Sequence, residues 1–289
     1  MMFRFIDEQR RYHSVEKMAG LLGISRGGYY AWRQRPKSVR ALDDERLVAS
    51  IEAIQEQVKH RYGSLRITEA LARAGSSVGH NRVARLMREH ELGRRPRKRY
   101  RSTTNSAHTH PVAENVVNRE FEVPEMNRVW SSDITYVATA EGWLYLCVVI
   151  DLYSRKVIGW AMKATMQAQL VVDALMMALM RRRRPSGVIF HSDRGSRYAS
   201  ETVRRCVRRH GLVQSMSRKG NCWDNAPTES FFSTLKNELC GAEAFVTRAQ
   251  ARQEIFEYIE IFYNRMRLHS TLGYLSPAAF EEAREQKAS

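Results

Sequence analysis

The chain predicts an α/β protein, a mixed five-stranded sheet with flanking helices, preceded by an all-α region. Three observations predict it. The 43% hydrophobic and 9% aromatic content supports packed cores rather than disorder. Up to about residue 101, apolar residues recur at helical spacing. After Arg128, three strand-like runs joined by short turns give way to an alternation of helices and strands, whose crossovers produce parallel pairing.

The elements follow in order. His13 to Arg35 reads as a helix-turn-helix: Val15, Met18, Ala19 and Leu22 share a helical face, and Gly23-Ile24-Ser25 turns with Ser25 as N-cap. The next run carries Tyr29, Tyr30 and Trp32 between arginines, as core aromatics or as a groove-reading helix. A long helix is predicted from about Ala41 to His60. Ser64 is expected to cap a helix ending at Ala74, and another helix runs from His80 to His90, with Val83, Leu86 and Met87 buried. Arg82, Arg85 and Arg88 stand at three-residue spacing on its other face, as a solvated face or as DNA contacts. Gly93 to Arg101 holds six basic residues of nine, among them Arg97, Lys98 and Arg99, and reads as an arm that neutralises phosphates. Ser102 to Pro111 is expected to be an exposed connection.

Val129 to Ala138 alternates like a strand. Glu141-Gly142 turns into Trp143 to Ile150, whose continuous apolar run marks a buried strand. Arg155 to Lys163 completes an antiparallel meander. Then come helix 167–181, strand 188–191, helix 200–210, strand 213–216, helix 226–239 and helix 248–265. The R-M-R-L-H segment at 265–269 could touch DNA or a partner subunit.

Charge separates the two regions. Residues 1–101 hold 23 Lys and Arg against 11 Asp and Glu, and the remainder holds 24 against 20, so the first third carries the electrostatic footprint for nucleic acid. Cys147, Cys206, Cys222 and Cys240 form no C-x-x-C pair, which fits a reducing cytosol and argues against zinc. No signal peptide is expected, and no run of about 18 apolar residues exists to span a membrane.

Three carboxylates carry the candidate chemistry: Asp133 in W-S-S-D-I-T-Y, Asp193 in H-S-D-R-G-S-R-Y and Glu229 in D-N-A-P-T-E-S-F-F. Both aspartates follow strand-like runs and the glutamate opens a helix. If the first and fourth strands are neighbours, the two aspartates can meet at one sheet edge, and the helix of Glu229 could pack across it. Gathering three carboxylates is costly unless cations neutralise them, and a hard-oxygen set without Cys selects Mg²⁺ or Mn²⁺. Two such ions would make a phosphoryl-transfer site. Lys236, two turns after Glu229, shares its helix face and could hold DNA phosphate. His191 is either an orienting or a structural histidine. Asp151 is expected in a turn or paired with arginine. Asp224 reads as a helix cap, and is the rival third ligand.

In order and spacing, these blocks, with V-V-I-D-L-Y-S-R-K-V-I-G-W, Y-N-R-M-R-L-H-S-T-L-G-Y-L-S-P and R-Y-G-S-L-R-I-T-E-A-L, closely resemble the OrfB transposases of the third insertion-sequence family, over nearly the whole chain. The resemblance implies a ribonuclease-H-like core of retroviral-integrase type and DDE-type cutting and joining of element ends. It places the acidic triad on Asp133, Asp193 and Glu229 and the following basic residue on Lys236. It also implies a partner OrfA protein or an OrfA fusion, a homo-oligomer on DNA, and a bacterial cytoplasmic, nucleoid-associated location. The expected divisions are residues 1–40, helix-turn-helix-like; 41–101, a second such region with the basic arm; 102–124, a linker; and 125–289, the integrase-like core with its C-terminal helix. The rival readings are a non-catalytic DNA-binding regulator and a nuclease that hydrolyses without joining.

Overall fold

The computed structural model of the chain describes residues 1–93, 111–219, 222–239 and 244–288. Its centre is a five-stranded sheet of β1 (Val129–Thr139), β2 (Gly142–Asp151), β3 (Val157–Lys163), β4 (Ile189–Ser192) and β5 (Val213–Met216), in the order β3-β2-β1-β4-β5. β1 pairs antiparallel with β2 and β2 with β3, whereas β4 lies parallel to both β1 and β5. Gly142, at φ +101°, makes the β1–β2 turn in a conformation that L side chains rarely adopt.

β2 reads as an unbroken apolar run because both its faces are covered. Leu144, Leu146, Val148 and Ile150 pack beneath α9 (Ala226–Glu238) and α10 (Arg248–Glu257). Cys147 and Val149 pack on the other face, with α7 (Ala168–Arg181) and α8 (Glu201–Arg209). The closest approach is at Gly159 in β3, where an added Cβ would sit 2.2 Å from the Ala174 carbonyl oxygen of α7.

The N-terminal helices form two groups. α1 (Met2–Gln9), α2 (Val15–Leu21) and α3 (Arg26–Gln34) enclose Ile6, Met18, Ala19 and Tyr29, and Ser25 caps α3 by accepting from Gly28 N, as its position predicts. α1 was not visible as an element in the sequence. α4 (Val39–Gln57), α5 (Ser64–Arg73) and α6 (His80–Glu89) bury Leu47, Ile51, Ile67, Leu71, Val83 and Leu86 in the same apolar cluster as the α9 side of the sheet. Ser64 is not the cap of α5. Gly63 holds that position, and Ser64 Oγ lies 2.9 Å from His80 Nε2.

The helix expected over 248–265 changes pitch. After α10 it widens into a π-helix, Tyr258–Met266, before α11 (Pro277–Ala288). The wider turn presents Asn264 to β3, where it accepts from Val157 N and donates to Val157 O, both at 2.9 Å. R-M-R-L-H is only partly surface: Arg267, Leu268 and His269 are buried, whereas Arg265 and Met266 are exposed. Among the described residues, no helix is long and apolar enough to cross a membrane.

Candidate active site

Parallel pairing of β1 with β4 sets the first two acids side by side. Ser132 is in register with Ser192, so Asp133 and Asp193 are the next residues on adjacent chains. β1 continues as the partner of β2, with Asp133 opposite Val148, while β4 ends, leaving an opening at its C-terminal end. Asp133 is half-buried and its Oδ1 accepts from Ile134 N at 2.7 Å. Asp193 Oδ1 accepts from Gly195 N at 2.9 Å.

α9 is fastened over this opening by side chains that sequence reasoning missed. Ser131 Oγ donates to Asn225 Oδ1 at 2.6 Å and lies 2.5 Å from Thr228 Oγ1. Glu229 therefore stands in the first turn of α9, solvent-exposed, immediately after the buried Thr228. The available signal was the small hydroxyl residue Ser131, since a bulkier residue there would hold the helix away.

The acids feel one another. Burial, then the Asp193 and Glu229 carboxylates, push Asp133 well above the usual carboxylate range, against the Ile134 amide and Lys236. Burial and Asp193 raise Glu229. Lys236 shares this field, and its Nζ lies 5.1 Å from the centre of the Tyr136 ring. Among the described residues, no three His, Cys, Asp or Glu side chains stand close enough together to enclose a metal ion. The donors are nevertheless of the right chemistry, hard carboxylate oxygens that repel one another without a cation.

The other candidates separate cleanly. Asp224 is buried and accepts from Arg218 (backbone N, Nε and Nη2), Arg119 Nε and Asn115 Nδ2, and Arg218, then Arg119, hold it well below the usual carboxylate range. It is neither a ligand nor a cap: the α9 N-cap is Asn225, which makes no side-chain capping bond. His191 is structural. Its Nε2 faces the Asp224 carbonyl at 2.8 Å, so that nitrogen carries the proton, and Nδ1 accepts from Ser215 Oγ at 2.9 Å. Burial lowers its pKa, favouring the neutral ring. Asp151 is held in the expected way, accepting from Tyr153 N and Asn127 N beside Arg182.

Of the basic candidates, Arg82 donates to Asp44 Oδ1 and Arg85 to Asp44 Oδ2, each at 2.7 Å, which ties α6 to α4; Arg88 is exposed. Arg97, Lys98 and Arg99 lie outside the described residues.

Residues 123–222 and 229–284 match models of the integrase core domain, and residues 42–100 match a model of an HTH-like domain. An uncharacterised 31 kDa protein of insertion element IS600 from Shigella sonnei is 47% identical over 271 residues, covering 94% of this chain and all of that protein. The InsF transposase of insertion sequence IS3A from Escherichia coli K12 is 42% identical over 283 residues, covering 97% of this chain and 98% of that protein. The chain belongs to the IS3 family of transposases. Members of this family with an integrase core are DDE-type polynucleotidyl transferases, and the mixed sheet is the ribonuclease-H-like core expected of one. Among solved structures, the simian T-cell lymphotropic virus intasome has a TM-score of 0.45 at 15% identity, covering 78% of this chain and 72% of that one. The HTLV-2 integrase catalytic core in complex with magnesium has a TM-score of 0.41 at 14% identity, covering 53% and 95%.

Proposed function

We propose that this IS3-family chain cuts and joins insertion-sequence ends with Asp133, Asp193 and Glu229 as its acidic triad, and that these carboxylates hold two Mg²⁺ or Mn²⁺ ions when DNA is bound. The observation that carries the assignment is the side-by-side departure of Asp133 and Asp193 from a parallel strand pair, under the helix that presents Glu229. Burial, and then the neighbouring carboxylates, raise the Asp133 and Glu229 pKa values, and divalent cations would relieve both penalties. When bound, the ions would supply Lewis-acid stabilisation to the attacking and departing oxygens of an in-line displacement.

The chain's own residues do the rest. Ser131, Thr228 and Asn225 fix the start of α9 on β1, which supports a role for Glu229 on the same side as the aspartates. Lys236 lies two turns further along α9 and offers its ammonium to the DNA backbone. Arg88 and the arm residues Arg97, Lys98 and Arg99 contribute phosphate contacts, and Arg82 and Arg85 join them only by sharing or leaving Asp44. An OrfA partner or fusion and a homo-oligomer on DNA belong to the same proposal.

The test is strand transfer on labelled element ends. Asp193→Asn should lose at least about a thousandfold in rate, several kcal/mol of transition-state stabilisation, while still binding the same DNA. Wild-type joining by that variant would remove Asp193 from the triad. Products longer than either substrate separate joining from simple hydrolysis, and unchanged function with alanine at all three acids would favour the regulator.

A further inference from the structure

Ser230 and Thr234, one helical turn apart on α9, open onto a cleft of about 350 Å³. Its other walls bring Arg66 from α5, Arg155 from the turn between β2 and β3, and Arg267 from beyond the π-helix. These residues are 201 positions apart at the extremes, so only the folded chain assembles them.

The charges in the cleft do not balance. Buried Glu238 takes Arg267 in a two-pronged pair, Nη2 to Oε1 at 2.8 Å and Nε to Oε2 at 2.9 Å, and also accepts from Tyr258 Oη at 2.8 Å. Arg66 reaches the same carboxylate only at 3.5 Å and gives its Nε to the Leu268 carbonyl. Arg155 Nη2 donates to the Phe121 carbonyl at 3.1 Å, and the acid that acts on it, Glu122, is solvent-exposed. The cleft thus carries three guanidiniums, and the one buried carboxylate beside them, Glu238, is taken by Arg267, with Arg66 at its margin. The neighbouring side chain records the surplus: burial, and then Arg267, Arg66 and Arg155, push His269 down to about 2, so it stays neutral. Partly buried positive charge of this kind is unfavourable until an anion completes it, and guanidinium forks with nearby hydroxyls match the oxygens of a phosphate.

We propose that this cleft binds a backbone phosphate of DNA flanking the scissile one, a contact separate from Lys236. Its position supports that ligand. Ser230 directly follows Glu229, and the cleft reaches Ala226 and Pro227 in the same first turn of α9, so a phosphate held there lies beside the triad. The volume admits a phosphate with part of a sugar and not a duplex. The phosphate contact rests on the reading that the chain acts on DNA; only its place next to the scissile phosphate rests on the assignment of the triad.

The experiment measures binding of the full chain to a labelled element-end duplex in EDTA across a salt series, so that no chemistry intervenes. Arg155→Gln should weaken binding roughly three- to tenfold and lower the slope of log affinity against log salt by about one, as the loss of one phosphate contact requires. Thr234→Glu, which adds a carboxylate to the cleft without removing a guanidinium, should do the same, and Arg155→Lys should recover most of the loss. Wild-type affinity and slope in both Arg155→Gln and Thr234→Glu, with native circular dichroism, would overturn the proposal. A second arm follows melting with inorganic phosphate at matched ionic strength. Stabilisation of the wild type but not of Arg155→Gln, without a change in DNA affinity, would make this a free-phosphate site and overturn the DNA assignment. Failure of Asp193→Asn to lose joining would strike the triad and leave these binding results untouched.

Discussion

Asp133 and Asp224 flank the same site and titrate in opposite directions. Asp133 is half-buried among other acids, and burial plus Asp193 and Glu229 raise its pKa from the ordinary 3.8. Asp224 is wrapped by Arg218, Arg119 and Asn115, and its pKa falls. Stability should follow these signs. From about the ordinary carboxylate pKa upward to the raised Asp133 value, the folded chain keeps a proton that the unfolded chain releases, so Asp133 makes the fold less stable as pH rises. Asp133→Asn, which can still accept from Ile134 N, should therefore melt higher than the wild type at pH 7 in EDTA, and the difference should vanish near pH 4. Asp224→Asn should melt lower at pH 7. Its deficit should shrink as the solution is acidified below the unfolded carboxylate pKa and through the depressed folded one. Equal melting of all three proteins at pH 7 would contradict both environments. Divalent cations should raise the melting temperature of the wild type more than that of Asp133→Asn.

At the level of elements, the β3–α7 contact is the least tolerant. Gly159 in V-I-G-W lies in a strand interior, where glycine is otherwise a poor choice, and the reason is the Ala174 carbonyl that comes within 2.2 Å of its missing Cβ. Neither β3 nor α7 can give way without opening the apolar layer of Leu170, Ala174 and Ala178. Gly159→Ala should cost more than about 2 kcal/mol in urea unfolding, at the upper end of overpacking penalties. A change under about 0.5 kcal/mol would show that the two elements slide apart freely.

Across the whole molecule, the two N-terminal helix groups differ in what holds them. The apolar cluster of α1–α3 is built of its own residues, Ile6, Met18, Ala19 and Tyr29. The α4–α6 group shares one cluster with Val137, Leu144, Phe231 and Tyr258, and Tyr62 Oη donates to Met266 O at 3.1 Å and accepts from Leu268 N at 3.0 Å. Arg61 lies 4.5 Å from the centre of the Phe262 ring. Removing residues 1–38 should leave the melting temperature of the remainder within a few degrees of the full chain. Removing residues 1–93 should strip the cover from that shared cluster, giving a lower melting temperature and dye-detectable exposed apolar surface. If both truncations melt alike, the shared cluster does not hold the two regions together.

The sequence by itself determined most of the elements, α1 and the π-helix excepted, and the candidate acids. Alternation in β1, the apolar run of β2, helical spacing in α4–α9 and the setting of each acidic motif are local signals, carried by residues a few positions apart. Ser25 was legible as a cap for the same reason. The tertiary structure alone decided what depends on partners distant in the chain. Asp224 looked like a cap because the sequence around Pro227 resembles a helix start, yet Arg119, 105 positions away, helps claim it. His191 was undecided until the Asp224 carbonyl and Ser215 took both ring nitrogens. R-M-R-L-H was open to contact with DNA or a partner subunit, but Arg267, just past the π-helix, turns inward to Glu238. Periodicity reports which face of an element is apolar. It does not report which charge from another element will meet a polar side chain, and that meeting decides whether the side chain is a ligand, an anchor or a surface.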